Sequence, residues 1–149
     1  QKLTNISRSV LRVLGLRESF VSQFVYDVLS KSENNIFVAH NAQFDANMIK
    51  SMLERNGFEM PKIHYLDTLT IAKCELPAPH KLKDCIAFYN LKGVKNSHRA
   101  IDDTKALKAV FSAMVSSDIN INNYVDKIAY SSYYGLSGDK LEGVEYIEM

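Results

Sequence analysis

The apolar positions of this chain change their spacing several times, and each change marks an element. From Arg17 to Ser30, Phe20, Phe24 and Val28 recur every fourth residue with Val21, Val25 and Leu29 beside them, the pattern of an amphipathic helix. After Asn34-Asn35 the period vanishes. Ile36, Phe37, Val38 and Ala39 form an unbroken apolar run that stops at His40, as suits a parallel strand buried on both faces. From Phe44, helical spacing returns through Met48, Ile49, Met52 and Leu53, and Asn56-Gly57 ends it, a pair favoured just past a helix terminus. Pro61 precedes a second short strand, Ile63 to Leu66, which leads through Asp67-Thr68 into a helical turn or two ending at Ala72. Leu76 to His80 reads as loop because of Pro77 and Pro79. Leu82, Cys85, Ile86 and Tyr89 mark a short helix, and Arg99 to Val115 a longer one. Short strands alternating with helices imply an α/β domain.

Two acidic residues break this pattern. At about 100° per residue, Asp45 falls on the stripe of Ile49 and Met52, near its centre. Asp103 lies within about 40° of Leu107, Val110 and Met114, whereas Asp102 points roughly 100° away. The helix macrodipole accounts for Asp102. It does not account for carboxylates on core-facing stripes, which are costly unless paired or bound to a metal. Asp45 also follows the carboxyl end of a strand, where open α/β sheets place their ligands. Two carboxylates favour Mg²⁺ or Mn²⁺ over zinc, and a pair of such ions grips both the attacking and leaving oxygens in phosphodiester hydrolysis. His98 lies five residues before Asp103, and an imidazole near such a site is suited to deprotonate the attacking water. Asp67 reads as a helix cap. Cys74 and Cys85 read as small core residues, and His64 and His80 as ordinary strand-end and loop positions.

Composition narrows the class further. With 149 residues, 46% apolar and 23% charged, the chain can form one domain with a real core. No apolar run approaches a membrane span, and two cysteines without metal-ligand spacing point to a reducing, cytoplasmic setting. The chain begins with Gln rather than Met, which suggests a piece of a longer or processed product. Net charge is only +1, but it is unevenly spread. Lys73 to Arg99 holds six basic residues (Lys73, Lys81, Lys83, Lys92, Lys95, Arg99) against Glu75 and Asp84, a balance of +4. Asp118 to the end holds six acids against two lysines, a balance of −4. The basic stretch is either a solvated face or the path of a phosphodiester substrate. From Ser116 the character changes, with a turn at Asn120 to Asn123 and a tyrosine-rich stretch from Tyr124 to Tyr134. Residues 118–149 are therefore expected to be an extension or connection beyond a main domain of 1–117.

His40 to Asp45, H-N-A-Q-F-D, and His98 to Asp103, H-R-A-I-D-D, resemble the second and third motifs of the DEDDh (DnaQ-like) 3′→5′ exonucleases. The nearest likeness is to the epsilon-type proofreading subunit of bacterial DNA polymerase III. Leu3-Thr4-Asn5-Ile6 and Leu66-Asp67-Thr68 add weaker similarities, and the likeness covers about residues 2–116. It implies a ribonuclease H-like fold, a mixed sheet with helices on both faces. It implies that Asp103 and Asp45 hold two divalent ions, that His98 is the general base, and that Asn41 and Phe44 support the site. His40, Lys81, Lys83 and Arg99 are expected along the substrate path. The implied substrate is single-stranded DNA or a DNA 3′ end, with a polymerase subunit as a candidate partner. The family's first motif, D-x-E, does not occur before His40. The resemblance thus implies that three strands are missing from one side of the sheet, leaving an edge open to a second copy of the chain. Two functions stay open: hydrolysis of DNA 3′ ends, or a catalytically inert exonuclease fold that binds a polymerase or nucleic acid.

Overall fold

In the computed structural model, which describes residues 7–32, 34–95, 97 and 99–149, the two short apolar runs lie side by side. Strand β1 (Ile36–Ala39) pairs in parallel with β2 (His64–Asp67), with Ile36 opposite His64 and Ala39 opposite Asp67. The helix between them, α3 (Ala42–Arg55), completes a β-α-β unit, the connection that parallel strands require. On its other side β2 meets an antiparallel segment through a Leu66–Val125 bridge and an Asp126 N–H to Tyr65 carbonyl bond of 2.8 Å. Pairing is therefore mixed, parallel on one side of β2 and antiparallel on the other.

Alternate side chains of this sheet feed two cores, as the period of two demands. Leu66, with Val38 beside it, packs with Ile71, Cys85, Val110 and Met114. These come from α4 (Thr68–Glu75), α5 (Leu82–Phe88) and α6 (Ala100–Val115). Tyr65 and Ile63, with Phe37 beside them, pack with Ala46 of α3 and with Ile128 and Leu141. Helix α2 (Glu18–Leu29) adds Leu29 to this second core. Helices thus cover both faces. A further helix, α1 (Arg8–Leu14), is capped by the Ser7 hydroxyl, which accepts the Val10 N–H at 3.2 Å, and it has no buried residue. After a 3-10 turn at Ile121–Tyr124, strands β3 (Lys127–Tyr130) and β4 (Glu145–Glu148) form a second parallel pair.

Three expectations are corrected. Strand β1 is not buried on both faces: only Ala39 is buried and Ile36 is 51% exposed. Among the described residues it is an edge strand, paired only with β2. Helix α3 begins at Ala42, two residues before Phe44, and the side it buries runs through Ala42, Gln43, Ala46 and Leu53. Asp45 and Ile49 flank that line, while Phe44 and Met48 are exposed. Cys85 is buried as expected, but Cys74 is exposed, because α4 turns Thr70, Ile71 and Ala72 inward.

Candidate active site

The turn from β1 into α3 is built around a buried aspartate. Asn41 adopts the left-handed conformation, φ 82° and ψ 55°, which asparagine tolerates better than most residues. This turns the amides of Asn41 and Ala42 toward Asp67, whose Oδ1 accepts them at 2.8 and 3.2 Å and also accepts the Leu69 N–H at 3.1 Å. The Thr70 hydroxyl donates to Asp67 Oδ2 at 2.9 Å. Asp67 is 1% exposed and stays satisfied because four donors and the positive ends of α3 and α4 surround it. It caps α4 as expected, and it also joins the two helix starts.

The other two carboxylates lack such support. Asp45, half-buried in the first turn of α3, holds its proton above the usual aspartate range because burial, and then the charge of Asp67, disfavour the anion. Asp103, in the first turn of α6, has a fully buried Oδ1 with no hydrogen-bond partner among the described residues. An orphaned buried carboxylate oxygen is costly, and a hard cation is the partner such an oxygen suits. The donor chemistry therefore fits a divalent ion. The set is incomplete, since no group of three or more His, Cys, Asp or Glu among the described residues is arranged to hold a metal. Asp102 is different: its Oδ2 accepts the Ser97 hydroxyl at 2.5 Å.

The remaining residues expected at the site separate. Both ring nitrogens of His40 are engaged inside the protein, Nδ1 with the Thr68 hydroxyl at 3.0 Å and Nε2 with the His80 carbonyl at 2.9 Å. Burial lowers its pKa from the usual 6.5; Nε2–H donates to the His80 carbonyl, while the Thr68 hydroxyl beside Nδ1 is also within 3.0 Å of the Ala39 carbonyl. His40 thereby ties the end of β1 to α4 and to the 76–80 loop. Asn41 makes no side-chain capping bond, and Phe44 is 52% exposed. Lys81 precedes α5 and Arg99 precedes α6. Both are exposed, as is Lys83, and none of the three has an ion-pair partner among the described residues. His98 and Leu3 to Ile6 lie outside the described residues.

Two residues that position these elements escaped the sequence reading. Gln43, 2% exposed, donates to the Asp139 carbonyl and accepts the Tyr146 hydroxyl at 2.6 Å. Thr70 accepts the Ala129 N–H at 2.7 Å while donating to Asp67. The available signal was positional: Asp67 ends β2 in register with the end of β1, so whatever it binds had to be the start of α3.

Comparison with known proteins agrees with this architecture. A family model described as "Exonuclease" (RNase_T) matches residues 1–111. The chain is similar to "DNA polymerase III PolC-type" of Caldanaerobacter subterraneus subsp. tengcongensis, with 31% identity over 116 residues, 76% of this chain and 8% of that protein. It is also similar to "3'-5' exonuclease DinG" of Staphylococcus aureus (strain USA300), with 29% identity over 105 residues, 69% of this chain and 11% of that protein. The chain thus spans about a tenth of the length of these relatives. Among its described residues no helix is long and apolar enough to cross a membrane. The family match over residues 1–111, on a mixed sheet covered by helices on both faces, makes this chain a member of the exonuclease family, with its ribonuclease H-like fold.

Proposed function

We propose that this chain belongs to a 3′→5′ exonuclease domain that hydrolyses phosphodiester bonds at DNA 3′ ends, in a proofreading-type role. The observation that carries the reading is the buried Oδ1 of Asp103, which has no partner among the described residues, together with half-buried Asp45, which has no cationic partner among them either. Both residues would hold divalent ions, and those ions supply charge neutralisation at the phosphate and a more acidic water. His98 takes the proton from the attacking water, a role assigned by its motif spacing. Lys81, Lys83 and Arg99 attract phosphates, and Phe44, exposed beside Asp45, offers an apolar surface to a base. His40 positions the 76–80 loop rather than touching substrate. The printed name of the PolC-type relative favours a polymerase as partner. The second reading, an inert fold that binds a polymerase or nucleic acid, is favoured by the incomplete donor set, since no three His, Cys, Asp or Glu among the described residues are arranged to hold a metal.

The test is Mg²⁺-dependent degradation of a 3′-labelled single strand by residues 1–149, alone and with a D-x-E-bearing strand segment supplied in cis or as a second chain. The 149 residues alone are expected to hydrolyse nothing, and the supplied segment to create activity. In that active form Asp103→Asn abolishes cleavage, whereas Asp102→Asn, which removes only a contact to Ser97, leaves most of it. Equal losses from the two substitutions would sink the assignment. Absence of cleavage in every combination, with strand binding retained, would favour the inert reading.

A further inference from the structure

A cleft of about 510 Å³ lies away from Asp45 and Asp67, at the opposite end of β2. His64 opens that strand and Asp67 closes it, which separates the two places by about 10 Å of strand. The cleft is organised by Asp126, held in the left-handed conformation at φ 56°. Its N–H donates to the Tyr65 carbonyl and its Oδ1 accepts the Tyr65 N–H, both at 2.8 Å. Oδ2 then accepts Nδ1–H of His64 at 2.6 Å. Asp126, held to both backbone groups of Tyr65, fixes the ring in turn and leaves Nε2 without a protein partner among the described residues, at a ring that lines the cleft. A merely structural ion pair would close the sheet edge and stop there. Here Lys50 and Lys62 line the same cleft, Lys62 with no ion-pair partner among the described residues and Lys50 only 3.9 Å from Glu54. Asp126 is taken up by His64, and Glu142, the other carboxylate of the lining, has no ion-pair partner among the described residues. Met60, Pro61 and Leu141 supply apolar lining to the same cleft.

We propose that this cleft is a second ligand site for a phosphate monoester carried on a flat apolar body, a nucleoside monophosphate. Lys50, Lys62 and the oriented His64, when its Nε2 carries a proton as well as Nδ1, take the phosphate, the apolar Met60, Pro61 and Leu141 lining takes the base, and Glu142 accepts from a base amine or sugar hydroxyl. The volume lies within the range of pockets that enclose ligands of this size, and small cationic groups beside an apolar lining separate the two halves of such a molecule. The proposal stands apart from the nuclease reading, since it uses none of the same side chains.

The test is calorimetric titration of residues 1–149 with adenosine 5′-monophosphate, adenosine and inorganic phosphate. Excess chelator removes any metal-dependent contribution from Asp45 and Asp103. The monophosphate is expected to bind at one site, at least about tenfold more tightly than either half alone. His64→Ala and Lys62→Ala should each weaken it about tenfold, while Asp45→Asn should not change it. Amide shifts in the unsubstituted protein guard against variants that fold poorly, and they should move at Lys62 to Tyr65 and Leu141 to Gly143. Shifts confined to the surroundings of Asp45 and Asp103, affinity unaltered in both variants, or no binding at millimolar monophosphate would overturn the proposal.

Discussion

Asp67 and Asp45 are carboxylates near the same strand ends with opposite solutions to burial. Asp67 accepts four hydrogen bonds, so Asp67→Ala leaves three amides and a hydroxyl without their acceptor. At roughly 1–3 kcal/mol for each stranded buried donor, the loss should be on the order of 3–5 kcal/mol in urea denaturation. Thr70→Val, which also strands the Ala129 N–H, should cost about half as much. A loss below 1 kcal/mol for Asp67→Ala would mean that water replaces it at both helix starts. Asp45 should behave in the reverse sense. Its folded pKa is raised above 3.8, so the folded chain binds more protons than the unfolded one between that value and the raised one. Stability therefore falls as pH rises through this window. Asp45→Asn should raise Tm at neutral pH and change nothing at pH well below 3.8, and added Mg²⁺ should narrow the gap. His40 has the other sign: its depressed folded pKa contributes stability above 6.5 that is lost as pH falls through the lower folded value. A pH-stability profile of the chain beside Asp45→Asn and His40→Gln separates the two slopes.

Amphipathic stripes tell a helix which side to bury only when something is present to cover them, and α2 shows the consequence. Its sequence offers Phe20, Phe24 and Val28 as the heavier apolar stripe, yet these are 63%, 64% and 42% exposed, while Ser22 is buried and Val21, Val25 and Leu29 are half-buried. Helix α1 is also wholly unburied, and Ile36 is exposed on a strand that is an edge among the described residues, so these elements leave several large apolar side chains uncovered. Such surfaces and open strand edges promote association. Residues 1–149 should thus form dimers or larger species in sedimentation experiments, and Phe20→Glu with Phe24→Lys should shift the distribution to monomer without lowering Tm. A monomeric unsubstituted chain would contradict this. The same elements show what could be read in advance. The parallel βα frame was legible because β1 and β2 are short apolar runs ended by polar turns. The burial of β1 was not, because an apolar run reports the side chains' preference and not whether a neighbouring strand is there. In α3, Gln43 occupies a buried position that hydrophobic periodicity assigns to no one; only its partners Asp139 and Tyr146, nearly 100 residues away, make it a core residue. At the site, the two histidine-aspartate motifs were visible as local spacing, whereas the Asp67 clamp depends on strand register and was visible only as a cap.

Across the whole molecule, residues 118–149 are read in the sequence as an extension, and their contacts decide how separable they are. Asp126 satisfies both backbone groups of Tyr65, and Ala129 receives Thr70 and Lys73 through its N–H and carbonyl. Ile128 and Leu141 close the core over Ala46 and Tyr65. Tyr146 and Asp139 satisfy Gln43, and Gly138 approaches α3 so closely that a Cβ there would lie 2.9 Å from the Asn47 side chain. Removing the segment after residue 117 would strand the polar groups of Gln43 and Tyr65 and uncover one of the two cores, at a cost on the order of 5 kcal/mol or more. That rivals the whole stability of a domain this size, so residues 1–117 should lose cooperative unfolding in urea and be digested rapidly by protease. Within the intact chain, Ile128→Ala should cost about 2–4 kcal/mol, and Gly138→Ala should be destabilising because its φ of 105° and the Asn47 contact oppose a side chain. If residues 1–117 instead unfolded cooperatively at an unchanged midpoint, the tail would be a passenger on the exonuclease fold. The cleft between β2 and the Leu141–Gly143 segment would then have no stable wall.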